Sequence, residues 1–420
     1  MPEAMTGHEY LEMLRRQNGR QTQSFRDFSE FLEAKARKQG VPIHGQFELS
    51  PLCNLSCGMC YVRLSPEQLG DRCLLTVDQW KGLIHQAFEA GMFQATLTGG
   101  ECLAYPGFEE LYLYLHSLGC EVDVLTNGTL LDEGRIRFFQ NHLPALIQIT
   151  LYGQNEDVYE RVTGRRVFHT VLDHLRQVKE AGLPLLITIT PNRALGEDVF
   201  ETIRLARELT EKVFINTSLF APPEEPWRLK VSEDPDADYY ARILRFDEEL
   251  QGKTLQEYPE QELPLPGGPC RRCEDTGFAC GSTAEAAKPV SEDIASGEKA
   301  AFGEEKGLIC GGGRSGFVIN WKGEMRICNR LDAKSFPLRE GFEQAWKKIH
   351  QTAENWPRAA ECRGCAYENV CSICAADAMK YAKPGKMPVG LCERTRYMVS
   401  RGVLPFARCD PAEGALSMQR

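Results

Sequence analysis

The sequence has no long apolar run and no sustained basic patch. No segment approaches the roughly 18 consecutive apolar residues of a membrane span, so we expect no membrane association. The net charge of −10 makes nucleic acid and anionic lipid poor partners, because the summed field repels both. The N-terminal region is rich in Arg, Glu and Gln and has no recognisable secretory signal, so we expect a cytoplasmic protein.

Cysteine, in contrast, is abundant. Seventeen cysteines in a chain without a secretory signal do not form a disulfide framework in a reducing cytosol, so metal or redox chemistry is their expected use. Isolated cysteines are usually small buried hydrophobic residues, and four stand alone here: Cys73, Cys102, Cys120 and Cys409. The others form three groups: Cys53, Cys57 and Cys60; Cys270, Cys273 and Cys280; and Cys310, Cys328, Cys362, Cys365, Cys371, Cys374 and Cys392.

Candidate strands alternate with candidate helices over about half of the chain. Such repeated strand–helix units produce a parallel sheet, and six of them predict an α/β fold, a partial (β/α)6 barrel of the TIM type. Strands are expected at 46–50, 95–98, 121–125, 146–151, 185–190 and 213–219. Helices are expected at 77–90, 108–118, 168–181, 197–209 and 238–250.

Composition predicts further parts around this barrel. Residues 282–306 contain only three large apolar side chains, too few to offset the entropy of ordering, so we expect a mobile insertion there. The C-terminal part is small and cysteine-rich, and its folding is expected to depend on bound metal. The expected division is a helical segment 1–42, the barrel 43–222, a linker or insertion 223–307, a cysteine-rich domain 308–400 and a tail 401–420.

The first cysteine group directly follows the first candidate strand. Cys53, Cys57 and Cys60 have the spacing CxxxCxxC, and a loop of this length can supply three thiolates to three irons of a cubane. The fourth iron then stays open to bind a substrate or cofactor. A zinc knuckle is the alternative, but zinc takes a fourth ligand and no further Cys or His follows in the loop.

This spacing after the first barrel strand resembles the signature of the radical S-adenosylmethionine superfamily. The resemblance implies that the amino and carboxylate groups of S-adenosylmethionine chelate the open iron, and that its reductive cleavage yields a 5′-deoxyadenosyl radical. Gly99-Gly100-Glu101 would bind the amino group at the end of the second strand. Paired glycines let backbone approach a ligand closely, and the Glu101 carboxylate attracts an ammonium.

Further cofactor contacts are predicted from position along the strands. Cys102 stands where the family usually has proline, and Met59 stands where it often has an aromatic residue, although methionine also packs on an adenine face. Arg161 resembles the arginine that pairs with the cofactor carboxylate, with Arg165 as its competitor and a plain surface arginine as the alternative. The remaining predicted contacts lie at strand ends: Asn127, Thr150 and Asn192.

The third cysteine group resembles the SPASM domain, the cysteine-rich extension of radical enzymes that modify peptides and proteins. The resemblance implies two auxiliary 4Fe-4S clusters, and hence three clusters in all. This chain has two residues between the last paired cysteines, where the family usually has three. One auxiliary cluster would be held by Cys362, Cys365, Cys371 and Cys392, and the other by Cys310, Cys328 and Cys374.

The second of these clusters has no assigned fourth ligand. Gly311 to Ile327 contain none of the extra cysteines that some relatives place there. Cys270, Cys273 or Cys280 would supply the ligand, or the site would stay open for a substrate thiolate. The first two of these cysteines, in the sequence Cys270-Arg-Arg-Cys273, would otherwise form a zinc clip with Cys280.

Auxiliary clusters suit a net oxidation, because they accept an electron from the substrate radical. Sulfatase-maturing relatives use an aspartate directly after the GxxxxC cysteine as a base, and here that residue is Asn329, which cannot act as a carboxylate base. The sequence therefore favours oxidative crosslinking of a ribosomally made peptide over formylglycine formation. The region before Cys53 is expected to be too short for a leader-binding winged-helix domain.

The remaining expectations concern partners and the alternative class of protein. Flavodoxin or ferredoxin is the expected type of reductant. A non-catalytic electron-transfer protein with closed, structural clusters is the alternative of another class, and the three-cysteine loop argues against it. No residue is assigned as a catalytic acid or base.

Overall fold

The structure is a computed structural model that describes residues 25–219, 236–266, 307–331, 334–362, 365–367, 370–371 and 374–404. Its centre is one nine-stranded sheet in the order β6-β5-β4-β3-β2-β1-β7-β8-β9. The first six strands and β7 run parallel, whereas β8 and β9 are antiparallel additions. The strands are β1 His44–Glu48, β2 Gln94–Thr98, β3 Glu121–Thr126, β4 Leu146–Thr150, β5 Leu185–Ile189, β6 Val213–Ile215, β7 Gly316–Ile319, β8 Glu324–Arg326 and β9 Phe336–Pro337.

Helices connect the parallel strands, as the strand–helix alternation predicted. Thr76 shows why one of them begins where it does: its hydroxyl accepts a hydrogen bond from the Gln79 backbone, while the Gln79 side chain accepts from the Thr76 backbone. The described helices are α1 Phe25–Gln39, α2 Pro66–Leu69, α3 Val77–Glu89, α4 Phe108–Ser117, α5 Glu133–Asn141, α6 Glu156–Thr163, α7 Phe168–Glu180, α8 Val199–Leu209, α9 Ala237–Leu250, α10 Phe342–Glu354, α11 Ala375–Met379 and α12 Val389–Ser400.

The predicted α/β architecture is confirmed, and the predicted elements lie close to the observed ones. The sixth strand ends at Ile215, whereas the sequence predicted an end at 219. None of the helices in the described parts of the chain has the length and apolar character needed to cross a membrane. The Cys270 group and the predicted mobile insertion lie outside the described residues, as do residues 1–24 and most of the predicted tail.

The cysteine-rich segment continues the barrel sheet. Strand β7 pairs in parallel with β1, from His44 opposite Gly316 to Phe47 opposite Ile319. Phe47 and Phe317 meet edge to face, with ring centroids 6.1 Å apart, and both belong to one buried apolar cluster. The barrel and the cysteine-rich segment thus share a core. The domain boundary near residue 308 stays a prediction, because the sheet runs across it.

The strands present apolar residues to the helices and mostly polar residues to the inward face. In β3, Val122 and Val124 are buried in the core, while Asp123 points the other way and is half-buried. Its register neighbours are Thr96 in β2 and Leu146 in β4. The inward face is therefore wettable, and it opens at the carboxyl ends of the strands, where parallel α/β folds carry their sites.

Candidate iron-sulfur and cofactor site

The three-cysteine loop leaves β1 and packs directly on the paired glycines after β2. The Gly100 amide donates to Ser50 O at 2.7 Å, and the Glu101 amide donates to Leu52 O at 3.0 Å. A Cβ at Gly100 would lie 2.3 Å from Leu52 O, and Gly99 has a φ of +143°, which side chains rarely adopt. The glycines are needed here because the cysteine loop lies against them. Their expected contact with the cofactor amino group stays a prediction.

The thiols of the loop accept hydrogen bonds as thiolates would. The Leu55 amide lies 3.4 Å from Cys53 Sγ, and the Arg63 amide lies 3.2 Å from Cys60 Sγ. Burial, together with the charges of the neighbouring thiols, raises the pKa of Cys53 to about 11 and that of Cys57 to about 12. A bound metal would lower these pKa values, because its positive charge stabilises the deprotonated sulfur.

The donor set fits an iron-sulfur cubane better than a single ion. Among the described residues, no three Cys, His, Asp or Glu side chains converge closely enough to hold one metal ion. A cubane spans more space, since each of its irons takes a separate thiolate. Cys53, Cys57 and Cys60 are close enough to repel one another when ionised. Their sulfurs therefore suit a cubane, in which each thiolate binds a different iron.

Asn127, predicted as a cofactor contact, is tied to the cysteine loop. Its Nδ2 donates to Asn54 Oδ1 at 2.8 Å and contacts Cys53 Sγ at 3.6 Å. Its Oδ1 accepts from the Thr129 amide at 3.0 Å and the Thr129 hydroxyl at 2.6 Å. The carboxamide thus joins the end of β3 to the first cysteine, and it orients that sulfur.

Glu101 lies fully buried beneath this loop. Its carboxylate accepts hydrogen bonds from the Thr126 hydroxyl at 2.7 Å, the Asn127 amide at 2.8 Å and the Leu103 amide at 3.0 Å. Burial raises the pKa of Glu101, while these hydrogen bonds oppose the rise. Next to it, Cys102 is buried, and its thiol contacts Leu125 O at 3.1 Å. Glu101 is thus a buried acceptor of three hydrogen bonds, at the edge where the open iron would lie.

Two tyrosines that the sequence did not single out as ligand contacts line the cysteine group. Tyr152 follows β4 and is half-buried beside all three thiols, and burial together with the charges of these thiols raises its pKa. Its phenol hydrogen-bonds with Cys57, which opposes the rise in the pKa of that thiol. Tyr159 packs edge-on against Tyr152 at 6.0 Å. The signal in the sequence was the strand-end position of Tyr152-Gly153.

The predicted contacts at the other strand ends are placed differently from one another. Met59 is half-buried and packs on the main core. Thr150 is half-buried beside Thr188, its register partner in β5. The Thr188 hydroxyl is buried without a hydrogen-bond partner among the described residues. It is a polar group at this site that the sequence analysis did not identify. Asn192 uses both ends of its side chain in its own turn, donating to Thr190 O and accepting from the Leu195 amide.

Arg161 is half-exposed and already paired. Its guanidinium donates to Ala194 O at 2.6 Å and forms an ion pair with Asp198. Arg165 is exposed and lies next to Gly164, where an added Cβ would contact Ser56 in the cysteine loop at 3.3 Å. Gly164, the chain neighbour of Arg165, thus lies against the cysteine loop, whereas Arg161 is tied to the loop after β5.

Comparison with known proteins agrees with this arrangement. Residues 47–206 match the family described as the Radical SAM superfamily. The chain carries a radical S-adenosylmethionine domain. A domain of this superfamily implies a 4Fe-4S cluster and S-adenosylmethionine, and the Cys53 loop lies inside the matched range.

Several known proteins are similar to this chain beyond the matched domain. The chain is 27% identical over 311 residues to the antilisterial bacteriocin subtilosin biosynthesis protein AlbA of Bacillus subtilis, covering 74% of this chain but 59% of AlbA. It is 25% identical over 348 residues to the AdoMet-dependent heme synthase of Methanosarcina barkeri, covering 81% and 92%. Streptococcus suis SuiB bound to precursor peptide SuiA has the same fold, with a TM-score of 0.59, 15% identity, and coverage of 91% and 86%.

Beyond the radical S-adenosylmethionine domain, the remaining cysteines separate into two groups. In the first, Cys310 and Cys374 lie close enough to Cys328 to raise its pKa, although burial is the main cause. The Leu331 amide contacts Cys328 Sγ at 3.1 Å. These are the three cysteines that the SPASM resemblance grouped together. Cys270, Cys273 and Cys280, the candidates for a fourth ligand, lie outside the described residues.

The second group surrounds the start of helix α12. Burial, together with the charges of Cys371, Cys362 and Cys365, raises the pKa of Cys392 to about 12. Cys371 also lies 3.6 Å from the Thr395 hydroxyl. The structure thus brings together the four cysteines that the resemblance assigned to one auxiliary cluster, and it keeps them apart from the Cys328 group as a separate set of mutually close thiols.

Proposed function

We propose that this protein is a radical S-adenosylmethionine enzyme that oxidatively modifies a peptide. The observation that carries the proposal is the sorting of ten cysteines into three groups: the loop after β1, the Cys328 group and the Cys392 group. Three such groups match three 4Fe-4S clusters, one for S-adenosylmethionine and two auxiliary. The names of AlbA and SuiB connect relatives of this architecture with peptides.

The residues in and around the cysteine loop have separate roles in binding the cluster and the cofactor. Cys53, Cys57 and Cys60 would hold three irons of a 4Fe-4S cluster, and Asn127 orients the first of these sulfurs. When bound, such a cluster would supply the electron for cleavage of the sulfonium, with one iron left for the amino acid part of S-adenosylmethionine. Glu101 attracts the amino group. Buried side chains around the loop exclude water, which protects a reactive intermediate from side reactions.

Contacts with the rest of the cofactor follow from the polar groups that remain available. Thr150 and Thr188 lie side by side on the inward face, and the Thr188 hydroxyl has no partner in the described structure. We assign this pair to the ribose or adenine. Arg165 replaces Arg161 as our candidate for the carboxylate, since Arg161 is held by Asp198. Met59 packs on the adenine face, and Asn192 stabilises its turn.

The Cys328 group would hold the cluster that oxidises the substrate radical. Hydrogen abstraction leaves one electron to remove before a thioether or carbon–carbon bond is complete, and a cluster on these cysteines would accept it. The external reductant is a flavodoxin or ferredoxin in this proposal, and the enzyme acts in the cytoplasm without nucleic acid or membrane. Asn329, in place of an aspartate base, disfavours sulfatase maturation.

The share of each relative's length that aligns with this chain indicates a second candidate function. The AdoMet-dependent heme synthase aligns over 92% of its own length, whereas AlbA aligns over less than two thirds of its length. This relationship favours oxidation of a small molecule, such as a haem precursor, by the same three-cluster arrangement.

Substrate turnover distinguishes the two candidates. The reconstituted protein is incubated anaerobically with S-adenosylmethionine, dithionite and either a cysteine-containing peptide encoded beside its gene or a haem precursor. A peptide product lighter by about two hydrogen masses, with one 5′-deoxyadenosine formed per bond, supports the peptide proposal. Conversion of the haem precursor alone contradicts it and supports the second candidate.

A further inference from the structure

A hollow in the surface of the cysteine-rich segment is lined mainly by apolar groups. It is small, with a cavity volume of about 50 Å³. Its walls come from the segment before β7, the stretch after α10 and the turn after α11. The main apolar lining residues are Leu308, Trp356, Ala378, Met379, Pro384 and Pro388.

The charged side chains that line this hollow are all cationic. They are Arg358, Lys383 and Lys386, and no carboxylate occurs among the described lining residues. Both lysines are exposed. This is unusual for a chain with a net charge of −10. A partner with an acidic surface is therefore drawn to this place by the local field, while the rest of the chain repels it.

The hollow adjoins both auxiliary cysteine groups. Cys362 is itself one of its lining residues, and the Arg358 charge opposes the rise in the pKa of that thiol, so the two groups are close. Two other lining residues, Ile309 and Ala375, are the chain neighbours of Cys310 and Cys374. A partner seated in the hollow would lie against ligands of both predicted auxiliary clusters.

We propose that this hollow, with Lys383 and Lys386 at its rim, docks a small acidic electron-transfer protein. The inference rests on the proposed function, because it needs iron-sulfur groups on these cysteines. One electron leaves the reduced donor, which is oxidised by one electron, and enters the cluster that Cys362 would hold, which is reduced by one electron. Small, electrostatically steered interfaces are typical of such redox encounters.

An acidic peptide substrate is the other partner that this charge would attract. A peptide substrate, however, must reach the carboxyl ends of the barrel strands, where the Cys53 loop lies. The lining residues that the structure describes come from 307–309 and 356–388, and none of them belongs to strands β1–β6 or to the described parts of the loops that follow them. The half-buried Cys362 in the wall would serve electron transfer, whereas a cluster ligand there gives no advantage for peptide binding.

Charge reversal at the rim tests the proposal. In the cluster-loaded Lys383→Glu/Lys386→Glu variant, the rate of reduction by a reduced bacterial ferredoxin should fall roughly tenfold or more at low salt, because steering is lost. Reduction by dithionite, a small chemical donor, should keep its wild-type rate. The control is Lys179→Glu/Lys212→Glu, which reverses two exposed lysines of the barrel, and it should behave as wild type with both donors.

The outcomes separate this inference from the proposed function. Wild-type protein that makes no 5′-deoxyadenosine with dithionite refutes the proposed function itself. Equal ferredoxin rates in wild type and the rim variant overturn the docking surface. A rim variant that is reduced normally but binds peptide more weakly also overturns it, and assigns the hollow to the peptide. Should the glutamates reduce iron content, the milder Lys383→Gln/Lys386→Gln variant is measured in the same way.

Discussion

Asn329 Nδ2 donates a hydrogen bond to the Tyr61 hydroxyl, 2.7 Å away. Tyr61 directly follows Cys60 in the cluster loop, and Asn329 directly follows Cys328 in the first auxiliary group. Burial raises the pKa of Tyr61, and the nearby Glu48 carboxylate raises it further. The two cysteine segments, far apart in the sequence, therefore meet through neutral hydrogen-bonding groups.

Tyr61→Phe should separate radical formation from product formation. The variant loses one hydrogen bond, worth about 1 kcal/mol, between the two cysteine segments. We expect 5′-deoxyadenosine formation at the wild-type rate and fewer product molecules per cleaved cofactor, measured by mass spectrometry. Tyr112→Phe is the matched control, because its hydroxyl donates to His142 O at the same distance, 2.7 Å, away from the cysteines. Equal coupling in both variants would show that the Tyr61 contact is only structural.

Glu101→Gln should weaken the binding of S-adenosylmethionine without changing iron content. The substitution removes the charge that attracts the amino group, for an expected loss of roughly tenfold in affinity. It also leaves one of the backbone donors to Glu101 without an acceptor, so unfolding should become easier by about 1 to 3 kcal/mol. Calorimetric titration of folded, reconstituted protein measures the affinity, with exposed Glu89→Gln as the control. Unchanged affinity would leave Glu101 a purely structural residue.

Cys328→Ala tests the first auxiliary group. Loss of this thiolate should remove about four irons per chain, keep uncoupled cofactor cleavage and abolish peptide product, since the substrate radical has no electron acceptor. Cys73→Ala, at an exposed isolated cysteine, should retain all three properties. Because β7 and β8 share the barrel core, solubility and thermal stability are measured first. Native peptide conversion by the folded variant would contradict the acceptor role.

Asp123→Asn should stabilise the folded chain at neutral and alkaline pH. Burial raises the pKa of Asp123 from 3.8 to about 6, so the folded state holds its proton more tightly than the unfolded state does. The wild type is therefore destabilised by an ionised, half-buried carboxylate above pH 6, and it recovers this stability as the pH falls from 6 towards 4. The variant should gain about 2 kcal/mol at pH 8 and nothing below about pH 4, by denaturant unfolding of the iron-free chain. A pH-independent difference would contradict the assignment.

The barrel strands could be predicted from the sequence because the patterns that mark them are local. Five of the six predicted barrel strands lie within two residues of the observed ones at each end, since β-branched runs between turn residues mark a buried parallel strand. The pairing of β7 with β1 was not predictable in this way. It depends on long-range packing of Phe317 against Phe47, which no local pattern records.

The candidate site could be predicted in those parts where the spacing of the cysteines along the sequence indicates their chemistry. The described cysteines of each predicted group lie near one another, although their role as cluster ligands stays a prediction, and the side chains around them were harder to place. The sequence could not show that Asn127 contacts Cys53, that Tyr152 lies against all three thiols, or that Asp198 holds Arg161. Such contacts depend on how strand-end loops fold over one another, and loop positions carry little periodic signal.

Cys53, Cys57 and Cys60 are the proposed ligands of the cluster that cleaves S-adenosylmethionine. This assignment is tested by measuring iron, sulfide and 5′-deoxyadenosine in the anaerobically reconstituted wild type and in the triple alanine variant. We predict about twelve irons and dithionite-dependent 5′-deoxyadenosine in the wild type, and about eight irons without any 5′-deoxyadenosine in the variant. Zinc in place of iron, or continued 5′-deoxyadenosine formation by the variant, would contradict it.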